Sequence, residues 1–200
     1  MRILVATNNA KKRKELDSIL HALGVETVTP AQLGIDCEVE ETGETFEENA
    51  MIKAKNGALL AGMPAVADDS GLMVDALGGR PGVYSARYGG EGLDDAGRTL
   101  RLLSELKGVT VRDAKFVSAI AYFAGEDASF TVRGECAGQI ALAPHGAGGF
   151  GYDPVFYVPE YGMTYSEMDP ALKNRISHRG VALALFGERL KQMREKDENQ

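Results

Sequence analysis

The run Ala65-Val66-Ala67-Asp68-Asp69-Ser70-Gly71 carries an apolar stretch onto two adjacent carboxylates, a hydroxyl and a glycine. Neighbouring side chains on a strand point to opposite faces. Asp68 and Asp69 therefore reach different targets, one facing a cleft and the other bracing a turn. A carboxylate and a hydroxyl backed by apolar residues are suited to holding a hard cation beside phosphate oxygens. The same residue types also build an ordinary Asx-turn, and on this stretch alone the turn is the simpler account. Its chemistry depends on what the rest of the chain brings to it.

Four further segments bear on that chemistry. Thr7-Asn8-Asn9-Ala10 leads into four consecutive cations, Lys11, Lys12, Arg13 and Lys14, in the first turn of a helix. The helix dipole makes this the wrong end for cations. A polyphosphate would remove the conflict, because free N–H groups and lysines would converge on it. The plain alternative is lysines reaching into water, where salt screens them. Glu40 and Glu41 lie in a loop upstream of a helix start, whereas Glu47 and Glu48 are explained by that start. Magnesium sites take one or two carboxylates together with phosphate oxygens and water. Asp69 alone would be a poor one, and Glu40 or Glu41 is the natural second ligand. A solvated acidic loop is the alternative.

Gly146-Ala147-Gly148-Gly149-Phe150-Gly151 formally matches the G-x-G-x-x-G dinucleotide fingerprint. That fingerprint must open a helix. Here Tyr152-Asp153-Pro154 follows, and proline holds its predecessor extended. The loop reads instead as a wall presenting Phe150, Tyr152 and Asp153, with a phenyl ring that can stack on a base. Lastly, Lys173-Asn174-Arg175-Ile176-Ser177-His178-Arg179 precedes the final helix. A His-Arg pair at a helix start makes sense if its donors face acceptors on a ligand. There is no G-x-x-x-x-G-K-[ST] phosphate loop and no G-x-S-x-G elbow. His21, His145 and His178 form no metal-binding pair at helical spacing.

The elements that must position these residues follow from periodicity. Arg2–Ala6 reads as a buried strand and Lys11–Leu23 as a helix, with Leu16, Ile19, Leu20 and Leu23 on one face. Val25–Val28 is a short strand. Thr45-Phe46-Glu47-Glu48 is a capping box opening a helix to about Ala61, stopped by Gly62-Met63-Pro64. Ala65–Ala67 and Leu72–Val74 are strand pieces on either side of an Asp-Asp-Ser-Gly turn. Asp94–Leu106 is a helix, and Lys115–Ala124 with Ser129–Ile140 a hairpin about Gly125-Glu126-Asp127. Val155–Val158 is a strand, and Arg179–Arg194 the last helix. The pattern predicts an α/β fold: a long mixed sheet with flanking helices, in two lobes about a central substrate cleft, with residues 1–200 as one domain.

Composition narrows the function. The net charge of −7 argues against a nucleic-acid-coating surface. A small anionic substrate fits, since the cations cluster near both ends of the chain. No apolar run approaches the ~18 residues of a membrane span. Ile3–Ala6 is too short for a signal-peptide core. Cys37 and Cys136 are far apart and form no zinc or redox motif. A cytoplasmic protein without a membrane partner is expected.

Taken in order, these segments closely resemble the purine nucleoside triphosphate pyrophosphatases that act on deaminated bases, the inosine triphosphate or dITP/XTP pyrophosphatases. The resemblance rests on Thr7-Asn8-Asn9-Ala10-Lys11-Lys12 with Glu15, Glu40-Glu41-Thr42-Gly43 with Phe46-Glu47-Glu48-Asn49-Ala50, and Ala67-Asp68-Asp69-Ser70-Gly71-Leu72. It continues through Pro81-Gly82-Val83-Tyr84-Ser85-Ala86-Arg87-Tyr88, Phe150-Gly151-Tyr152-Asp153-Pro154 and Ser177-His178-Arg179-Gly180. Each is weak alone; six in register over nearly the whole chain are specific. Asn8 stands where the family often has glycine, and asparagine is the next most tolerant residue at positive φ.

The resemblance implies magnesium-dependent hydrolysis of ITP, dITP and XTP to the monophosphate and pyrophosphate, keeping these nucleotides out of DNA and RNA. It also implies a homodimer. Thr7, Asn8, Asn9, Ala10, Lys11 and Lys12 would hold the triphosphate, and Glu40 or Glu41 with Asp69 the magnesium. Asp69 would also accept the proton of the attacking water, and Lys53, one turn beyond Asn49, would neutralise charge on the phosphates. Ser70 would contact substrate. Phe150 would stack on the base within the loop that includes Gly151 and Tyr152, while Asp153, Lys173, His178 and Arg179 read its edge. Hypoxanthine and xanthine carry an acceptor oxygen where adenine carries a donor amine. Donors facing adenine would be left unpaired, at roughly 1–3 kcal/mol each. A related pyrophosphatase of another base preference, or a catalytically silent nucleotide-binding module, are the rival readings.

Overall fold

Ile3, Leu4 and Val5 are fully buried, and they form β1 (Arg2–Val5), a central strand of the sheet. The computed structural model describes residues 1–7, 9–90 and 92–197. Asn8 lies outside the described residues, as do the side chains of Lys11 and Glu15. β1 pairs in parallel with β2 (Glu26–Val28) and with β3 (Ala65–Val74), Leu4 lying opposite Ala65 and Val5 opposite Val66. Parallel neighbours need a crossover. Helix α1 (Ala10–Ala22) supplies the first, burying Leu16 and Leu20.

The second crossover contains α2 (Pro30–Leu33) and α3 (Phe46–Ala61). The short α2 is absent from the sequence reading, although Thr29, Pro30 and Gln32 are a complete start signal; Thr29 and Gln32 cap it reciprocally. The predicted capping box of α3 is present. Thr45 Oγ1 accepts from the Glu48 N–H at 3.1 Å, and Glu48 Oε2 accepts from the Thr45 N–H at 3.1 Å. Gly57 lets α3 approach β1 closely, since a Cβ there would stand 2.7 Å from Ala6 Cβ and 3.1 Å from Leu4 Cδ2.

Then come α4 (Asp95–Glu105), β4 (Asp113–Phe123) and β5 (Ser129–Ile140), the last two joined by a turn in which the Ala124 N–H donates to Ala128 O. β6 (Phe156–Val158) is antiparallel to β5, and β7 (Met163–Thr164) antiparallel to β6. Helices α5 (Pro170–Ile176) and α6 (His178–Asp197) close the described chain. The sheet is mixed and seven-stranded, in the order β2-β1-β3-β4-β5-β6-β7, which agrees with the α/β expectation.

One expectation needs correction. Ala65–Val74 is one continuous strand, not two pieces about an Asp-Asp-Ser-Gly turn. The carboxylates of Asp68 and Asp69 meet Lys12 and Lys53 from within this strand. The segment read only as preceding the last helix also contains a short helix of its own, which carries Lys173 and Arg175; Asp169 caps the Ala171 and Leu172 N–H groups and Pro170 opens α5.

The chain divides into two compact units, one of Met1–Asp69, Ser118–Gly134 and Val181–Gln200, the other of Ser70–Val117 and Glu135–Gly180. The divisions fall inside β3, β4, β5 and α6. In the first unit Ile3, Val5, Leu20, Val66, Tyr122 and Phe186 share a core. In the second, Leu72, Leu102, Phe116, Phe156 and Tyr165 do so. Among the described residues no helix is long and apolar enough to cross a membrane.

Candidate active site

The strand-to-helix turn after β1 is organised by its own side chains. Thr7 Oγ1 accepts from the Asn9 N–H at 3.2 Å, and Asn9 Oδ1 from the Lys12 N–H at 3.2 Å, so Asn9 caps α1. Ala10 is the first helical residue. Lys12 Nζ lies 3.0 Å from Asp68 Oδ2, with the two side chains 18% and 1% exposed. One of the four cations at this helix start thus owes its position to a buried carboxylate on β3. Asp68 and Asp69 thus reach different targets, as their alternation on a strand requires.

Asp69 points to a different set. Its Oδ1 accepts from Lys53 Nζ at 3.0 Å, and its Oδ2 from Asn49 Nδ2 at 3.4 Å. Lys53 Nζ also donates to Glu41 Oε1 at 2.8 Å. Asn49 Oδ1 in turn accepts from the Gly43 N–H at 2.8 Å, which ties the acidic loop to α3. Asn49 and Lys53 are one turn apart on that helix and share a face. Burial raises the Asp69 pKa, with Lys53 and then Lys12 opposing part of the rise. Burial pulls the other way on Lys53, but the negative charges of Asp69, Glu41 and Asp68 outweigh it and its pKa is raised. An ammonium held between two carboxylates marks a place built for a cation. Oxygen ligands of this kind suit magnesium. Glu40 is exposed in the loop, so the structure brings Glu41 rather than Glu40 to Lys53. Among the described residues, no three His, Cys, Asp or Glu side chains converge as a metal cage, and a magnesium site completed by phosphate oxygens does not require one.

The second unit holds the remaining predicted residues. Ser70 Oγ accepts from Arg179 Nη2 at 3.1 Å. His178 opens α6, buried, its ring stacked on Phe116 with centroids 4.7 Å apart. Asp153 Oδ2 accepts from the Phe150 N–H at 2.8 Å and from Lys173 Nζ at 2.5 Å. Lys173 Nζ sits 5.0 Å from the Phe150 ring centroid, a cation–π contact. Gly149 lies at φ +79, and a Cβ there would meet Asp153 Oδ2 at 2.3 Å, so only glycine admits this carboxylate. Tyr152 turns inward: its hydroxyl donates to Ser85 O at 2.9 Å, and burial raises its pKa. Its hydroxyl is therefore taken up in bracing the loop. Gly151 is held from α4, where Asp95 Oδ2 accepts from its N–H at 2.8 Å and Thr99 Oγ1 donates to its carbonyl at 3.3 Å.

The chain was compared with known proteins. The model of the Ham1 family matches residues 3–189. The chain belongs to the Ham1 family. It is 48% identical over 188 residues to a dITP/XTP pyrophosphatase of Geobacillus kaustophilus, covering 93% of this chain and 92% of that one. It is 46% identical over 192 residues to one of Xanthomonas campestris, covering 94% and 96%. A solved HAM1 protein from Coxiella burnetii superposes with a TM-score of 0.91 at 41% identity, over 96% of this chain and 99% of that one. The Staphylococcus aureus Ham1 protein gives 0.90 at 38% identity, over 96% and 99%.

For this Ham1 chain, sequence reasoning named candidate residues but missed several of their partners. Strand alternation gave Asp68 and Asp69 different targets but not Lys12 as the counterion of Asp68. Asn49 could have been found from its spacing to Lys53 once α3 was capped at Thr45. Asp95 and Thr99 had no signal, because their target is a backbone group 56 and 52 residues away.

Proposed function

We propose that this chain hydrolyses dITP, XTP and ITP to the monophosphate and pyrophosphate with magnesium, breaking the anhydride bond between the α- and β-phosphates. The carrying observation is the placement of Lys53 between Asp69 and Glu41 on β3, α3 and the acidic loop. Membership of the Ham1 family, and the names of relatives at this identity, support the substrate class.

In this reading Thr7, Asn9 and Lys12 bind the phosphates at the start of α1, with Asn8, Ala10 and Lys11 completing the turn. Asp69, with Glu41 or Glu40, would hold magnesium, which neutralises phosphate charge and makes the attacking water more acidic. Asp69 accepts the proton of that water, and Lys53 stabilises charge developing on the phosphate oxygens. Phe150 stacks on the base, while Ser70, Gly151, Tyr152, Asp153, Lys173, His178 and Arg179 line the pocket or read the edge of the purine. Arginine and histidine donors suit the oxygen of hypoxanthine or xanthine and are mismatched to adenine. The chain is further proposed to act as a cytoplasmic homodimer, which sedimentation at micromolar concentration would test against a monomer mass of 21.4 kDa.

The deciding experiment is pyrophosphate release from ITP, XTP, dITP, GTP and ATP, with magnesium and with EDTA. Release from the deaminated purines, abolished by EDTA and about a hundredfold slower from ATP, is the expected result. Equal rates on every base would remove the edge-reading roles of His178 and Arg179. No turnover would leave a binding module.

A further inference from the structure

Phe150 and Asp153 bond each other, Asp153 bonds Lys173, and Ser85, Val155, Phe156 and Ser166 hold Tyr152 and Asp153 from outside the loop. The Phe150 N–H donates to Asp153 Oδ2, the Asp153 N–H donates to Phe150 O at 3.1 Å, and Asp153 holds Lys173. Gly151 is different. Its N–H and its carbonyl are both taken by one helix, α4, through Asp95 at 2.8 Å and Thr99 at 3.3 Å. Those two residues are one helical turn apart, so they share a face. Asp95 uses its other oxygen on Arg98 Nη2 at 2.6 Å, which fixes the carboxylate rotamer.

We propose that Asp95 and Thr99 are positioning residues for base recognition: α4 clamps the N–H and the carbonyl of Gly151, in the peptide units on either side of it, and so sets where Phe150 and Asp153 stand. Neither residue carries a role in the proposed chemistry, and the inference rests on the reading of residues 150–153 as the base-binding loop. Releasing Gly151 leaves Phe150 and Asp153 chemically intact but loosens their placement. The cost falls on binding of the base and on discrimination between bases, not on the bond-breaking step, whose groups lie on β3 and α3.

The test uses the full chain with ITP and ATP under magnesium. Asp95→Ala is expected to raise KM for ITP roughly three- to tenfold, the fold-change of one lost hydrogen bond. Its kcat is expected to stay within about twofold, and the ITP-to-ATP preference to narrow. Asp95→Asn retains an acceptor for the Gly151 N–H while losing the charge and the second acceptor oxygen, so its KM is expected to lie well below that of Asp95→Ala. Thr99→Val is expected to raise KM in the same sense. In a Phe150→Ala background, Asp95→Ala is expected to add little, because its effect runs through the ring's position. An unchanged KM and base preference in folded Asp95→Ala and Thr99→Val would overturn the proposal. So would Asp95→Asn behaving like Asp95→Ala, or a fall in kcat alone. Absence of turnover in the unsubstituted chain would instead overturn the proposed function, which separates the two failures.

Discussion

At the residue scale, two adjacent carboxylates do different work because a strand turns them to opposite faces. Asp68 holds Lys12 at the start of α1, and Asp69 meets Lys53 and Asn49. Asp69→Asn keeps the shape and an acceptor but removes the charge. Its turnover of ITP is expected to fall at least about a hundredfold, the usual loss when a proton acceptor is removed, while circular dichroism stays unchanged; near-normal turnover would end its assigned role. Glu40 and Glu41 separate by geometry. Glu41 reaches Lys53 at 2.8 Å and Glu40 is exposed. Glu41→Gln is therefore expected to raise the magnesium concentration needed for half-maximal rate severalfold, and Glu40→Gln to leave it close to normal. A magnesium titration of both variants decides, and the opposite ranking would assign the second ligand to Glu40.

At the element scale, α3 carries both Asn49 and Lys53, so its start and its seat on β1 matter to the site. Backbone N–H groups of Glu44 and Thr45 hold the Glu48 pKa below its ordinary 4.5. A carboxylate lowered on folding contributes stability that is present above 4.5 and lost as pH falls through the folded-state value. Glu48→Gln keeps an acceptor but cannot titrate. The urea midpoint of the unsubstituted chain is expected to exceed that of the variant at pH 7, with the gap closing below pH 4.5; a gap independent of pH would contradict the capping role. Gly57→Ala opposes two effects. Alanine favours a helix over glycine by about 1 kcal/mol, but the new methyl would meet Ala6 Cβ at 2.7 Å. Overpacking of this kind costs about 1–3 kcal/mol, and Ala6 Cβ is fixed by the backbone, so a net fall in melting temperature is expected.

Legibility followed from how local each signal is. The cap of α3, the helical face of Leu16 and Leu20, and the hairpin of β4 and β5 depend on neighbours in sequence, and all were readable. The unbroken course of β3 was not, because it depends on Lys12 and Lys53 arriving from other elements to satisfy its carboxylates. The inward bond of the Tyr152 hydroxyl was not readable either, because its acceptor is a backbone oxygen 67 residues away.

At the scale of the whole molecule, neither compact unit is a continuous piece of chain. The first is assembled from three segments and the second from two, with the divisions inside β3, β4, β5 and α6. Cutting the chain at a unit's boundary therefore severs a strand or a helix, and one cooperative domain is expected rather than two that melt separately. Calorimetry is expected to show a single transition with calorimetric and van't Hoff enthalpies in agreement; two resolved transitions would refute this. The same measurement reports ligand binding, since a nucleotide that binds only the native state stabilises it by about 2.7 kcal/mol at a hundred times its Kd. For a chain of this length each kcal/mol moves the midpoint by roughly 2–4 °C, so a shift of about 5–11 °C is expected. Asp69→Asn allows the experiment without turnover, but it also weakens the proposed magnesium site. ITP at saturating concentration is expected to raise the midpoint of that variant with or without EDTA. Under the same conditions ATP at equal concentration is expected to shift it less, because the phosphate contacts are shared and the base contacts are not. Equal shifts for the two nucleotides would place all the binding free energy on the phosphates and leave discrimination between bases to the chemical step.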